Sequence, residues 1–405
     1  MTRTVIVAVL AGTMGGCTDG SAIETSGTSS PPPGDSGTAY DTDRTSGTGG
    51  GDTGATDPTG TTDPSVVPSG DLTVLSLNLH CFLLDGTSFA SNEDRFAAIA
   101  SLAASEQVDA LAVQEACVND AHGVAMDRLA AALESATGVA WGTAWAETHI
   151  AWAGTADEAT EGVGILSRGT PADPSELTYV RQGTQLRKAL SATVTGPSGA
   201  QVRLYTVHLD HDDAAARQLQ ARETAVHALV HSDPAWTTLI AGDYNAVSSD
   251  PALTDVAAAG FTRLSAPSDG GSEIDHVFAP SPAGFTVREA RLVFEGGAEP
   301  VVSDHPGVLL KLTLGAAAPA DVTRLIARHD AGFGHAMWVR GDTSPLSWTL
   351  GWPAANTASD RWEAVFLGWP SGTVAYKWLV DDVTWQTGSD ELVGAGATSD
   401  TTPGF

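Results

Sequence analysis

Positive charge is what this chain has least of. It carries 20 Lys and Arg against 49 Asp and Glu, a formal net charge of −29 over 405 residues. That balance disfavours an obligate nucleic-acid binder, whose affinity rests on a basic footprint over the phosphates. Any anionic substrate would need help from a metal. Long apolar runs are missing as well, and nothing beyond the first residues could span a membrane. From Thr18 to about Gly70 there is no apolar periodicity, and the chain is almost wholly Gly, Ser, Thr, Asp and Pro. Such a stretch cannot bury enough surface to offset its ordering entropy, and it reads as a tether. Cysteine is reduced to three residues, Cys17, Cys81 and Cys117.

The N-terminus reads Met1-Thr2-Arg3, an apolar run from Val5 to Ala11, then Gly15-Gly16-Cys17. This is the layout of a short export signal. It resembles a bacterial lipoprotein processing site, with Cys17 the lipidated first residue, although Met14 stands where that box usually has Leu. Export, to a lipid anchor on the cell envelope or by secretion, is the expectation, and the anchor would be the chain's one tie to a membrane. Cys81 and Cys117 then remain as an even pair, a disulfide candidate in an exported protein. Each follows an expected strand end, so the thiols come within bridging distance if the two strands are neighbours. The alternative is two small buried apolar side chains.

From Asp71 the pattern alternates: strand at Leu72–Leu79, helix at Asn92–Ser105, strand at Ala110–Gln114, helix at Ala125–Thr137. Strands follow at Gly162–Ser167, Ala189–Val194 and Val202–His208, with turn material such as Gly196-Pro197-Ser198-Gly199 between them. A helix over Ala214–His231 and strands at Thr237–Ala241, Asp275–Phe278 and Val308–Leu314 complete an α/β layered sandwich. The stretches Ala151–Glu161 and Ala266–Ser272 read as loops that set specificity.

Six short motifs lie at strand ends in this region: Leu77-Asn78, Gln114-Glu115, His208-Leu209-Asp210-His211, Gly242-Asp243-Tyr244-Asn245, Ile274-Asp275-His276 and Ser303-Asp304-His305. One alone is weak, because Asp, Asn and His also serve turns and caps. Six in series supply carboxylates for a hard divalent cation, an Asp-His pair for proton transfer and amides that orient water or phosphate. With Glu161-Gly162-Val163-Gly164-Ile165-Leu166-Ser167-Arg168 they resemble the endonuclease/exonuclease/phosphatase superfamily, the group of pancreatic deoxyribonuclease. The match runs over about residues 71–314.

The resemblance implies a four-layer α/β/β/α sandwich and a metal-dependent phosphoesterase. It implies Mg²⁺, with Mn²⁺ or Ca²⁺ as alternatives, held by Asn78, Glu115 and Asp304. His208 would contact a phosphate oxygen or help protonate the leaving group. Asp243 and Asn245 would orient the attacking water. His305 would be the general base or the phosphate's electrostatic partner, with Asp275 fixing its tautomer. Arg168 is a further candidate phosphate contact, and Asp210 and His211 would shape the pocket. Phosphodiester cleavage is slightly favoured over phosphomonoester cleavage, with nucleic acid, phospholipid or a small molecule as substrate.

After a linker at 315–320, residues 321–405 are dense in Trp and read as a small antiparallel β-sandwich, with strands at His335–Arg340, Arg361–Phe366 and Val374–Val380. Pro345-Leu346-Ser347-Trp348, Ala375-Tyr376-Lys377-Trp378 and Val383-Thr384-Trp385-Gln386 resemble starch-binding modules. That resemblance sets Trp348 and Trp385, beside Lys377, where exposed indoles stack on sugar rings. Trp338, Trp362 and Trp378 read as core. The usual Asn after the second Trp is absent, Asp390 being nearest, so the expected ligand is a polysaccharide other than starch or a partner protein. A monomer is expected. The competing reading is a surface adhesion protein whose catalytic fold is silent.

Overall fold

The computed structural model describes residues 70–81, 91–231, 237–265, 273–281, 284–315 and 321–405. The leader with Cys17, nearly all of the tether, the 266–272 loop and most of the 315–320 linker lie outside the described residues. No helix among the described residues is long and apolar enough to cross a membrane.

The chain opens with β1 (Gly70–Asn78), α1 (Asn92–Ser105), β2 (Ala110–Gln114), the two-residue strands β3 (Val118–Asn119) and β4 (Gly123–Val124), and α2 (Ala125–Thr137). Next come β5 (Trp141–Ala151), β6 (Ala159–Arg168), β7 (Ala172–Thr178), β8 (Lys188–Thr195) and β9 (Gln201–His208). Then follow α3 (Ala214–Val230), β10 (Thr237–Asp243), α4 (Pro251–Ala258), β11 (Phe261–Arg263), β12 (Asp275–Pro280), β13 (Phe285–Val293) and β14 (Gly307–Leu314). Local chemistry sets the helix ends. The Ser91 side chain accepts from the Asp94 N–H at the start of α1, where Glu93 and Asp94 also meet the positive end of the dipole. Gly138 closes α2 at φ 71°, and Asp213 caps α3 through the N–H groups of Ala215 and Ala216.

One sheet has the order β13-β14-β1-β2-β6-β3-β4, with β5 on β6, and the other β11-β12-β10-β9-β8-β7. They pack face to face through Val74, Ala112 and Ile165 on one side and Leu204, Leu239 and Val277 on the other. The first sheet buries Leu75, Leu77 and Val113 against Phe96 and Ile99 of α1 and Leu129 of α2. The second buries Tyr205, Ile240 and Phe278 against Ala225 of α3 and Val256 of α4. The result is the expected four-layer sandwich. Between Ala151 and Glu161 the structure departs from the loop expectation. Strands β5 and β6 pair up to Ala151↔Ala159, so only 152–158 turn. Pro174 is tolerated in β7 because that strand forms the edge of its sheet.

The C-terminal part comprises β15 (Val322–Arg328), β16 (Met337–Gly341), β17 (Trp352–Pro353), β18 (Ala355–Ala358), β19 (Arg361–Leu367), β20 (Thr373–Val380), β21 (Thr384–Trp385), β22 (Glu391–Gly394) and β23 (Thr398–Thr401). They form two sheets, β18-β19-β15-β23 and β17-β16-β20-β21 with β22 on β20. Trp338 and Trp378 are buried, whereas Trp362, expected in the core, is half-buried at its edge. This part is not a separate bead. Leu325, Val339, Trp352 and Phe366 belong to the same apolar cluster as Ala225 of α3 and Val256 of α4. Arg222 of α3 pins the contact. It pairs with Asp255 at 2.7 Å, donates to the carbonyls of Leu350 and Gly351, and lies 4.8 Å over the Trp352 ring.

Candidate active site

Strand direction assembles the site. β1 and β2 are parallel and end together, Asn78 opposite Gln114. β9 and β10 are likewise parallel and end with His208 opposite Asp243, and β12 starts at that edge with Asp275 opposite Asp243. One rung of the second sheet therefore carries His208, Asp243 and Asp275, while Glu115 follows the end of β2 in the first. The backbone is special here: Glu115 and Asn245 both sit near φ 47°, the sparsely populated left-handed region, as do His80 and Cys81. Just before Asp243, Gly242 has φ 145°, and a Cβ there would fall 2.1 Å from the Val207 carbonyl oxygen.

Asn78 links the two sheets. Its Nδ2 donates to Glu115 Oε1 at 2.9 Å and to Asp243 Oδ2 at 3.2 Å, while its Oδ1 accepts from the His80 N–H. Asp243 Oδ1 accepts the Asn245 N–H at 2.7 Å, and the Asn245 side chain donates to the Leu209 carbonyl. His305 Nδ1 lies 2.7 Å from Asp275 Oδ2 and 3.9 Å from Asp243 Oδ2. His208 Nε2 lies 3.6 Å from the same Asp243 oxygen. Asp304 pairs with His80 at 3.1 Å. The buried guanidinium of Arg95 donates to the carbonyls of Leu79 and Val302, tying the segments that follow Asn78 and precede Ser303.

These groups surround a pocket of about 260 Å³ lined by Glu115, Glu161, Gln185, Arg187, His208, His211, Asp243, Asn245 and His305. Arg168 is not at it. That side chain pairs with Asp109 and donates to the Val108 carbonyl at the opposite end of β6, so the expected phosphate contact does not form there. The physical reason is strand direction: β6 runs antiparallel to β2, which brings its first residues, Glu161 among them, to the pocket edge. Asp210 is buried and accepts from the N–H groups of Asp212 and Asp213, a turn role, whereas His211 lines the pocket.

Arg187 is the group that motif reading passed over. Its Nη1 donates to His208 Nδ1 at 2.8 Å and to Glu161 Oε1 at 3.0 Å, and its buried Nε has no acceptor. Since Arg187 can only donate, His208 Nδ1 accepts and the ring proton sits on Nε2. Burial and the Arg187 charge push the His208 pKa down to about 4. His305 goes the other way. Burial alone would lower it, but the Asp275 hydrogen bond and the charges of Asp275, Asp243 and Asp304 push it up to about 10. At neutral pH one imidazole is neutral and the other charged, the divided pair that acid-base chemistry uses. Burial raises Asp243, with Asp275 adding to it, and burial raises Glu115, with Glu161 adding to it.

The endonuclease/exonuclease/phosphatase family profile matches residues 75–305, more than half of the chain. The chain belongs to this family. Its members are phosphoester hydrolases. An endonuclease/exonuclease/phosphatase structure from Beutenbergia cavernae aligns with 80% of this chain and 100% of its own at 19% identity and a TM-score of 0.51, which shows the fold. Family structures also include one from Leptotrichia buccalis, with 18% identity, 59% and 98% coverage and a TM-score of 0.49. The human nocturnin catalytic domain is similar at 16% identity, 60% and 94% coverage and a TM-score of 0.46. No curated protein matches the chain.

Cys81 and Cys117 form a disulfide across the ends of β1 and β2, with Cα atoms 5.0 Å apart. Cys81 N–H also donates to the Glu115 carbonyl. The bond thus closes the segments that carry Asn78 and Glu115. For a separation of 36 residues, the chain-entropy model assigns about 4 kcal/mol. The double variant Cys81→Ala/Cys117→Ala is expected to lose about 2–5 kcal/mol in urea unfolding and to exchange the amides of residues 78–81 and 115–117 faster. Unchanged exchange in those segments would contradict a clamping role.

Proposed function

We propose that this chain is an exported, metal-dependent phosphodiesterase. The observation that carries the reading is the pair of oppositely poised imidazoles, His305 on Asp275 and His208 on Arg187, facing Asp243 across one pocket. A divalent cation fits the donor set. Several carboxylates crowd one edge, raised by burial and by one another, and Asp275 Oδ1 is buried without a partner. Glu115, oriented by Asn78, would hold Mg²⁺, with Asp304 contributing a second carboxylate. When bound, such an ion would supply Lewis-acid polarisation of the phosphoryl group.

The chain's own residues do the remainder. The His208 Nε2–H is a donor for a non-bridging oxygen, and the Arg187 guanidinium supplies fixed positive charge beside it. His305, charged at neutral pH, is a further electrostatic partner for the phosphate. Asp243, held by Asn245 and raised above an ordinary aspartate, accepts a proton from the attacking water. A diester is favoured over a monoester because, among the described residues, Arg187 is the one Lys or Arg lining the pocket, and a dianion would call for more fixed positive charge. The net charge of −29 disfavours long polyanions, which points to a small or lipid-borne diester. The Cys81–Cys117 bond supports export, since such bonds persist in oxidising compartments.

For the C-terminal sandwich we propose polysaccharide contact. Trp348 and Trp385 are 37% and 40% exposed with ring centroids 6.0 Å apart, and Lys377 pairs with Asp390. One experiment addresses both readings. Full-length protein is incubated in Mg²⁺ or chelator with a generic bis-aryl phosphodiester, sphingomyelin, inositol phosphates, RNA and plasmid DNA. Release that chelator abolishes and that His305→Ala lowers by about 10²–10⁴-fold is expected. Polysaccharide retention should fall in Trp348→Ala/Trp385→Ala. Silence across the panel with retention intact in wild type would favour the adhesion reading.

A further inference from the structure

At its N-terminal end α3 leads out of the active-site edge, and towards its other end a second cleft of about 440 Å³ opens between the helix and the C-terminal sandwich. Its polar lining includes Glu223, His227 and His231 from α3 and His335 from the segment before β16, and among the described residues no Lys or Arg lines it. His227 stands more than three turns from Ala214, roughly 20 Å along the axis, so these side chains serve no step in the catalytic pocket.

Spacing of four residues sets Glu223, His227 and His231 one above another on a single helix face. The two imidazole centroids are 4.2 Å apart. Two histidines at this spacing are the helical chelate that binds zinc in well-known sites. Each flanking group is already oriented. His227 Nδ1 is hydrogen-bonded to the Tyr205 hydroxyl at 3.1 Å, and His335 Nδ1 to Asp381 Oδ2, which leaves Nε2 of each ring for a ligand. Beneath them Glu223 is 92% buried and accepts the Val180 N–H; burial pushes its carboxyl up to about 8. A core role accounts for His227, which packs on Tyr205. It does not account for His231, which is exposed, or for a buried acid facing a cleft that no Lys or Arg among the described residues lines.

We propose that this cleft is a second metal site, in which His227 and His231 chelate a divalent cation of the zinc class. Imidazole donors select late first-row metals over Mg²⁺, which separates this site chemically from the carboxylate-rich pocket. Among the described residues no third donor shares one coordination sphere with the pair, so the preformed part is the two-histidine chelate with water completing it. His335 lines the same cleft from the sandwich side, outside that coordination sphere. This inference does not rest on the hydrolase reading.

Full-length protein is titrated with Zn²⁺ by calorimetry, and with Co²⁺ by its visible absorption, as wild type, Glu115→Ala, His231→Ala and His335→Gln. Glu115→Ala weakens the catalytic pocket and should keep one tight equivalent. His231→Ala, an exposed position that leaves the fold intact, should weaken that equivalent at least tenfold without changing melting in chelator or Mg²⁺-dependent hydrolysis. His335→Gln should weaken it less. The proposal is overturned if His231→Ala binds Zn²⁺ with wild-type stoichiometry and affinity, or if Glu115→Ala abolishes all tight binding.

Discussion

One neutral amide holds together a site that electrostatics would otherwise push apart. Asn78 reaches from the first sheet and donates from the same Nδ2 to Glu115 beside it and to Asp243 on the second sheet. Both acids are raised by burial, so each prefers to shed its charge unless hydrogen bonds or a cation answer it. The amide answers part of that need, and a cation among the carboxylates would answer more. The buried link between Gln114 and Thr206 repeats the device one strand position away. Sheet packing and site geometry are therefore the same problem here: slide one sheet and the acid cluster loses its bridge.

Around that seam the two histidines acquire opposite characters from their second partners. Asp275 makes His305 a cation, while burial and the Arg187 charge keep His208 a neutral donor with its proton on Nε2. Neither property belongs to the imidazole itself. The C-terminal sandwich supports the frame from behind, since α3 is gripped between the second sheet and Trp352, with Arg222 as the pin. Its burial on both sides explains why so polar a helix, with Arg217, Gln220, Arg222 and Glu223 all buried, is stable where it lies.

Much of this was legible in the sequence because it is local. α1, β2 and α2 have the bounds that their periodicity and caps imply, and the ordered motifs all lie at strand ends. What was not legible depends on direction and on tertiary partners. Arg168 closes the same sequence block as Glu161, yet β6 carries the two to opposite ends of the sheet. Arg187 sits in Gln185-Leu186-Arg187 with no motif around it, and only folding brings it to His208. β7 lacks alternation and contains Pro174, so it does not read as a strand. The shared core of α3 and the sandwich was hidden by the helix's polar residues, which suggest a solvent-facing surface until their partners are seen.

Catalysis at this site depends most on the division of charge between His305 and His208. Nitrogen-15 NMR of the imidazoles in metal-free protein tests it directly. At pH 7 His305 is expected to be protonated on both nitrogens and to titrate near pH 10, and His208 to be neutral with its proton on Nε2 and to titrate near pH 4. A His305 that titrates near 6.5, or a His208 already charged at pH 7, would contradict it.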